Sequence, residues 1–490
     1  MDYVDKTKSG ARGFRAHLKQ LSPGRKAGMV LLLLAPPVLT AIMLAWFFSM
    51  TGSIGMYRIM GTARLVIHSL GILGVALPVI AAVLLYIRWS IGGEKSLWTG
   101  ALQGAAWTMV IIGILLPAMM LLAFSVVPRL SSGDKPPLLL VSGRQGKHGV
   151  PDMALCFWTV DPTVNTVAWG EGKTDRVVAE KNSSSTHAFM LRDLVGGRRY
   201  SYRINNGKVF TFKAPPTGDT LHFAVDSDAH FGASASRTDL TGKITREIAR
   251  PSNGFDLFFS LGDLVQLGFL DTEWRQAIDA LSPTAMRIPF RPLVGNHETL
   301  LNGIQLYERY MYPKGVDTGN GSRLWQRIDL GRVHFFLLDM EWGTETFGAD
   351  QKAWLERQLK SVPALDWKIV MDHCFYYASG RVADSRQWYD DMQAIDALSP
   401  TFEKYKVDLV VTGHDHHIEL LGHNGVTYAV IGAFGGEPDP PPTHISPASL
   451  WRTKVHYGLL DVLVSGGRMD LVFRDTDFKE IKKATLVKTR

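Results

Sequence analysis

Five apolar runs in this 490-residue chain end in the same way, and that repetition limits the folds open to it. The run 289–294 leads into Gly295-Asn296-His297-Glu298, and 223–226 leads into Ser227-Asp228-Ala229-His230-Phe231-Gly232. The run 255–261 leads into Gly262-Asp263, 367–371 into Asp372-His373, and 407–412 into Gly413-His414-Asp415-His416-His417. Short apolar runs closed by turn residues read as buried strands. In an open α/β sheet, ligands bind outside the carboxyl ends of the strands. One Gly-Asn pair is an ordinary turn. Five strands that each deliver Asp, Asn or His to that end describe a metal site.

The order Asp-x-His, Gly-Asp, Gly-Asn-His-Glu, His, Gly-His-x-His resembles the calcineurin-like metallophosphoesterase family, over residues 221–476, about half of the chain. The resemblance implies that Asp228, His230 and His416 bind one metal ion, that Asn296, His373 and His414 bind a second, and that Asp263 bridges the two. The residue types suit this. A carboxylate has two oxygens and can hold two cations about 3.5–4 Å apart. A mixed imidazole and oxygen donor set points to two divalent transition-metal ions, Mn, Fe or Zn, rather than Ca. The implied reaction is hydrolysis of a phosphate ester by metal-activated hydroxide. His297 is left over from the metal set, and the resemblance implies that it faces the phosphate and assists the leaving group as a hydrogen-bond donor or general acid. Glu298 is expected to orient a neighbouring imidazole. The alternative is a non-catalytic membrane receptor or adhesion protein that retains the fold. A decayed enzyme would have lost ligands, and here all seven candidates and His297 are present. Phosphomonoesters, phosphodiesters, nucleotides and lipid-linked phosphates all fit these motifs.

Three segments, 28–50, 65–87 and 105–127, contain no Asp, Glu, Lys or Arg. Each is long enough to cross a hydrocarbon layer of about 30 Å as a helix. Trp46, Tyr86 and Trp107 lie near their ends, where amphipathic rings favour the interface. Seven basic residues against two acidic ones in 1–27 supply +5 of the formal +7 charge. The remainder is near neutral, so the basic balance does not point to nucleic-acid binding. It orients the chain by the positive-inside rule. Residues 1–27 are expected to be a cytoplasmic tail of a multi-pass protein of the plasma (inner) membrane, with the catalytic domain extracytoplasmic. The expected partners are the lipid bilayer and a phosphate-ester substrate.

After a linker at 128–137, residues 138–216 resemble a fibronectin type III-like β-sandwich, with Trp158 on an early strand and Leu194 and Tyr200 at a tyrosine corner. A module of this kind before a metallophosphoesterase domain (217–476) is similar to the layout of purple acid phosphatases. In those enzymes a tyrosine follows the bridging aspartate by three residues; here Gln266 stands there, which argues against a ferric-tyrosinate centre. Helices are expected at 239–250, 271–281, 349–360 and 386–398, and hairpins at 323–340 and 455–473. The expected architecture is α/β: a two-sheet metallophosphoesterase sandwich flanked by helices, preceded by a small β-sandwich and a three-helix transmembrane region, and followed by a basic C-terminal tail at 477–490. Gly435-Gly436-Glu437-Pro438 is expected near the site. Cys156 and Cys374 are expected to be buried free thiols, and His222, His334, His423, His444 and His456 to be structural or on the surface.

Overall fold

A computed structural model of the protein describes residues 19–50, 61–90, 97–126, 131–319, 321–383 and 386–488. The chain divides into two compact units, Met1–Arg129 and Leu130–Arg490.

The first unit contains the helices Pro23–Met50, Gly61–Ser90 and Leu97–Val126. Within them Pro23–Ala45, Ser69–Ser90 and Leu97–Leu122 are long and apolar enough to cross a membrane. Ala81, Leu85, Ala106 and Val110 pack together between the second and third helices. The third helix starts ahead of the expected position 105, because nothing charged interrupts the stretch from Leu97 onward. Residues 1–18 of the expected tail lie outside the described residues.

The second unit is built on two large sheets. One has nine strands, in the order Glu480–Val487, Arg468–Asp475, Gly458–Ser465, Thr220–Asp226, Leu257–Ser260, Phe290–Pro292, Lys135–Gln145, Pro151–Thr163, Ser184–Leu191. The other has seven, in the order Gln326–Leu330, Val333–Leu337, Trp367–Met371, Leu409–Thr412, Val426–Ile431, Ile418–His423, Ser449–Arg452. The central strands of both sheets are buried on both faces, which is why they read as unbroken apolar runs rather than alternating ones. Leu221, Phe223, Val225, Leu257 and Phe259 point inward to meet Phe335, Ile369, Leu409 and Val411 of the other sheet. The Phe335 ring lies 5.1 Å from Phe223 and 4.9 Å from Phe259. The intervening residues turn outward. Ala224 and Phe258 pack under Ile244 and Trp274 of the helices Thr238–Ile248 and Asp271–Ala285. Val370 and Val410 pack under Leu355 and Leu398 of the helices Ala349–Ser361 and Met392–Lys404. This is the expected mixed α/β arrangement of two packed sheets with helices outside.

Several expectations need revision. The helix expected at 386–398 begins at Met392, because the Asp391 carboxylate caps it by accepting from the N–H groups of Gln393 and Ala394. Arg386–Trp388 instead pairs with Arg381–Ala383 in a two-stranded hairpin. The expected basic tail is mostly the edge strand Glu480–Val487. Ala484 and Leu486 pack on the core, while Lys483 sits exposed on the edge, where lysine discourages further strand pairing.

Residues 135–213 contribute three strands to the end of the nine-stranded sheet and a separate four-stranded sheet: Arg176–Ala179, Thr166–Glu171, Arg199–Ile204 and Val209–Lys213. The Tyr200 hydroxyl accepts from the Val195 N–H at 2.9 Å, the geometry of a tyrosine corner. This segment is continuous with the nine-stranded sheet: its first strand starts at Lys135, inside the expected linker, and Leu140 pairs in parallel register with Phe290. Trp158 packs outward, its ring 5.2 Å from Tyr310 and its indole N–H donating to the Arg309 carbonyl. Trp169 is the tryptophan that fills the core beside Tyr200. Cys156 and Cys374 are free and buried.

Candidate metal centre

The five strand ends meet at one edge. Asp228 and His230 follow Thr220–Asp226, Asp263 follows Leu257–Ser260, and Asn296 opens the short helix Asn296–Thr299 after Phe290–Pro292. These three strands run parallel. From the other sheet, His373 follows Trp367–Met371 and His414 and His416 follow Leu409–Thr412, again parallel. Asp228, His230, Asp263 and His414 have φ of 67°, 49°, 51° and 68°. A non-glycine residue held there costs on the order of 1–3 kcal/mol, and such strain concentrates at functional sites.

The seven residues form two contiguous sets. In one, His230 Nε2 lies 3.0 Å from His416 Nε2, and these nitrogens are 3.7 and 3.3 Å from Asp228 Oδ1. In the other, Asn296 Oδ1 lies 2.9 Å from His373 Nε2 and 3.0 Å from His414 Nδ1, and the two ring nitrogens are 3.1 Å apart. Asp263 Oδ2 stands between the sets, 3.5 Å from His230 Nε2 and 3.3 Å from His373 Nε2. Its other oxygen, Oδ1, accepts the His297 N–H at 2.8 Å. A single oxygen of Asp263 therefore faces both sets, rather than one oxygen facing each.

This donor set fits metal ions. Among the described residues, buried Asp228 Oδ1 makes no well-aligned hydrogen bond and has the His416 and His230 ring nitrogens 3.3 and 3.7 Å away, an arrangement a cation among them would relieve. Asp228 Oδ2 accepts from the His414 N–H at 2.8 Å, so Oδ1 is the oxygen left for an ion. The rings are fixed from behind. His373 Nδ1 meets the Leu261 carbonyl, His416 Nδ1 the Glu437 carbonyl and His230 Nδ1 the Gln266 side-chain oxygen. Protons on these Nδ1 atoms direct the Nε2 lone pairs into the site, the usual arrangement behind a metal-bound imidazole. Gly436 lies close, as expected for the loop that contains it: a Cβ there would stand 2.8 Å from the His230 ring and 2.9 Å from His416.

Glu298 does something other than orient an imidazole. Its fully buried carboxylate accepts from the backbone N–H groups of Asp263, Leu264 and Gly295 at 2.7 Å and of Val265 at 3.3 Å. It holds the turn that carries Asp263. Gln266, noted in the sequence only as the missing tyrosine, supports two histidines: His230 through its side chain and His297 through its carbonyl, 2.7 Å from His297 Nδ1. His297 is partly exposed and lies beside the site, its Nε2 3.9 Å from Asp263 Oδ2 and its ring 4.5 Å from His230. Aromatic rings crowd the outer side of His414: Trp342 at 4.7 Å, Phe375 and Trp388 at 5.8 Å.

The electrostatics of the site suit cations. Burial works against a charge on His373 and His416, but Asp263 and Asp228 around the first and Asp228 beside the second outweigh it. The rings are held up at about 10 and about 9. Burial, with His373 close by, pushes His414 down to about 3. Metal binding must displace the protons on His373 and His416. Metal affinity of the stripped protein is therefore expected to rise with pH between 6 and 8, by up to about 100-fold per unit if both protons leave. Isothermal titration with Mn(II) in buffers of different ionisation enthalpy checks this through the number of protons released. A pH-independent affinity contradicts it.

A further cluster was not read from the sequence. Asp415, His417 and Asp439 bring ligand atoms within 4.8 Å of one another. Asp415 and His417 were visible in Gly-His-Asp-His-His, but Asp439 comes from a distant proline-rich loop, and no spacing pattern joins it to them.

Residues 221–417 match the family model described as calcineurin-like phosphoesterase. Among curated proteins, the chain is 24% identical over 289 residues to the probable inactive purple acid phosphatase 1 of Arabidopsis thaliana, covering 51% of this chain and 46% of that one. It is 24% identical over 325 residues to purple acid phosphatase 22 of the same plant, covering 60% and 72%. The chain thus spans about half the length of the first of these relatives. Among solved structures, a purple acid phosphatase from yellow lupin (Lupinus luteus) seeds superposes with a TM-score of 0.60 at 17% identity, over 72% of this chain and 74% of that one. That likeness shows the fold.

Proposed function

We propose that this chain, which carries a calcineurin-like metallophosphoesterase domain at 221–417, is a membrane-anchored, dinuclear-metal phosphoesterase. The reading rests on one observation above others: Asp263 Oδ2 lies between two complete ligand sets, 3.5 Å from His230 and 3.3 Å from His373. Two divalent ions there would supply Lewis-acid activation of water and of the phosphoryl group. Asp228, His230 and His416 would hold one, Asn296, His373 and His414 the other, with Asp263 between. The chain's own part is positional. Gln266, Leu261 and Glu437 fix the imidazole rings, Glu298 fixes the backbone under Asp263, and His297 stands ready to exchange a proton at Nε2 with the ester or its leaving group.

Some relatives bear names that describe them as inactive, so the non-catalytic reading is tested together with this one. The full chain, purified in detergent and supplied with Mn(II), Zn(II) or Fe(II), is offered aryl phosphomonoesters, bis-aryl phosphodiesters, nucleotides and lipid-linked phosphates. Metal-dependent release of product from at least one class supports the enzyme. Full metal loading with no turnover of any class favours the binding protein.

The orientation proposed from the basic N-terminus places the catalytic unit outside the cytoplasm of an inner membrane. Moving the tail across would be costly, since a single Lys or Arg at the membrane centre costs about 2.5–3.5 kcal/mol on insertion scales. A reporter active only outside the cytoplasm, fused after Ser132, is expected to be active, and a cytoplasm-only reporter there silent. The opposite pair of results contradicts the three-span topology.

A further inference from the structure

We propose that Asp415, His417 and Asp439 form a third cation site, distinct from the dinuclear centre, which takes one divalent transition-metal ion. None of the three belongs to the seven ligands above, and one ligand atom from each lies within 4.8 Å of the others. The independent observation is Asp415. The residue is 5% exposed, and its Oδ2 is buried with no hydrogen-bond partner among the described residues. A buried carboxylate oxygen without a donor is costly, and such groups are paired or coordinate metals.

His417 is built as a ligand. Its Nε2 lies 3.1 Å from Glu419 Oε2, and its Nδ1 lies 3.1 Å from Asp439 Oδ2. Glu419 is fully buried and is itself fixed by the Ser379 N–H at 2.8 Å, the Ser379 hydroxyl at 2.6 Å and the Ser449 hydroxyl. With the Nε2 proton donated to Glu419, the Nδ1 lone pair faces Asp439 Oδ2, and a ligand atom of Asp415 lies within 4.8 Å. A carboxylate behind a histidine in this way fixes the tautomer at metal sites. The competing account is an imidazolium clamped between Glu419 and Asp439. It satisfies His417 but leaves Asp415 Oδ2 without a partner, whereas one ion satisfies all three side chains. One imidazole nitrogen and carboxylate oxygens favour an ion of the Mn or Zn class over Ca. The site opens into a pocket of about 240 Å³ lined by Ser379, Arg381, Trp388, Pro440 and Arg452, which gives the ion and its remaining water ligands access.

The test uses the full chain in detergent, stripped with chelator, dialysed against MnCl₂ and analysed for bound Mn. Asp439 is partly exposed at its side chain, so Asp439→Asn is the variant expected to fold; His417→Gln is the second. Each is expected to bind about one Mn(II) per chain fewer than the parent. In an Asp263→Asn background, which disables the dinuclear centre, about one Mn(II) is expected to remain, with the paramagnetic resonance signal of an isolated ion, and to vanish when Asp439→Asn is added. Equal Mn in the parent and Asp439→Asn overturns the proposal and leaves the imidazolium account. No Mn in Asp263→Asn also overturns it. Failure of the dinuclear reading looks different: Asp263→Asn then keeps all the Mn of the parent. If Asp263→Asn does not fold, the comparison of the parent with Asp439→Asn decides alone.

Discussion

Asp263→Asn is expected to empty the dinuclear centre and to lower phosphoester hydrolysis by about 10³-fold or more, since the ions contribute several kcal/mol of transition-state charge stabilisation. The size of the effect follows from how the carboxylate is used. Oδ1 is committed to the His297 N–H, and Oδ2 is the one oxygen that faces both ligand sets. An asparagine has one oxygen. Turned toward His297, it presents an amide NH₂ to the metals; turned toward the metals, it sets two donors against each other at His297. Either way a charge that serves two ions is lost. Elemental analysis and an activity assay on the same sample check the prediction. A variant that keeps the parent's metals rules out a bridging Asp263.

His297→Ala is expected to keep its metals and lose about 10²–10⁴-fold in turnover, the usual worth of a positioned acid or base. The structure refines what His297 can do. Its Nδ1 proton is donated to the Gln266 carbonyl, and burial pushes the ring down to about 4, so at neutral pH Nε2 offers a lone pair to the site. The donor role implied by the family resemblance therefore requires the ring to take up a proton when the phosphate ester binds. The loss in His297→Ala is then expected to shrink for esters with very good leaving groups, which need no proton. Rates measured across a series of aryl phosphates check this. An equal loss across the series assigns His297 to phosphate binding instead.

The candidate ligands are legible in the sequence because they are local. Each sits within four residues of the end of an apolar strand, and strands buried on both faces, such as those through Phe258 and Val370, are hard to mistake for anything else. The two-sheet arrangement and both hairpins followed from the same patterning. What was not legible depends on convergence. Glu298 stands beside His297 in sequence and was assigned to an imidazole. Its four backbone donors come from the turns at Asp263–Val265 and Gly295, and their meeting point exists only once the strands are side by side. Trp158 and Trp169 both lie on strands, and only the sheet pairing shows that Trp169 is the one beside Tyr200. The lysines at 482 and 483 made Glu480–Val487 read as a solvated end; an edge strand carries such charges by design, and the half-buried Ala484 and Leu486 were too weak a signal against them.

The most direct test of the dinuclear enzyme follows metal and activity together. Chelator-stripped full-length protein carrying Asp439→Asn, which leaves the dinuclear ligands intact, is titrated with Mn(II) while bound metal and hydrolysis of an aryl phosphate are measured at each step. The account predicts no hydrolysis in the stripped protein, and activity that rises as the two sets around Asp263 fill and stops rising when both are full. Hydrolysis by the metal-free protein, or none at full loading, contradicts it.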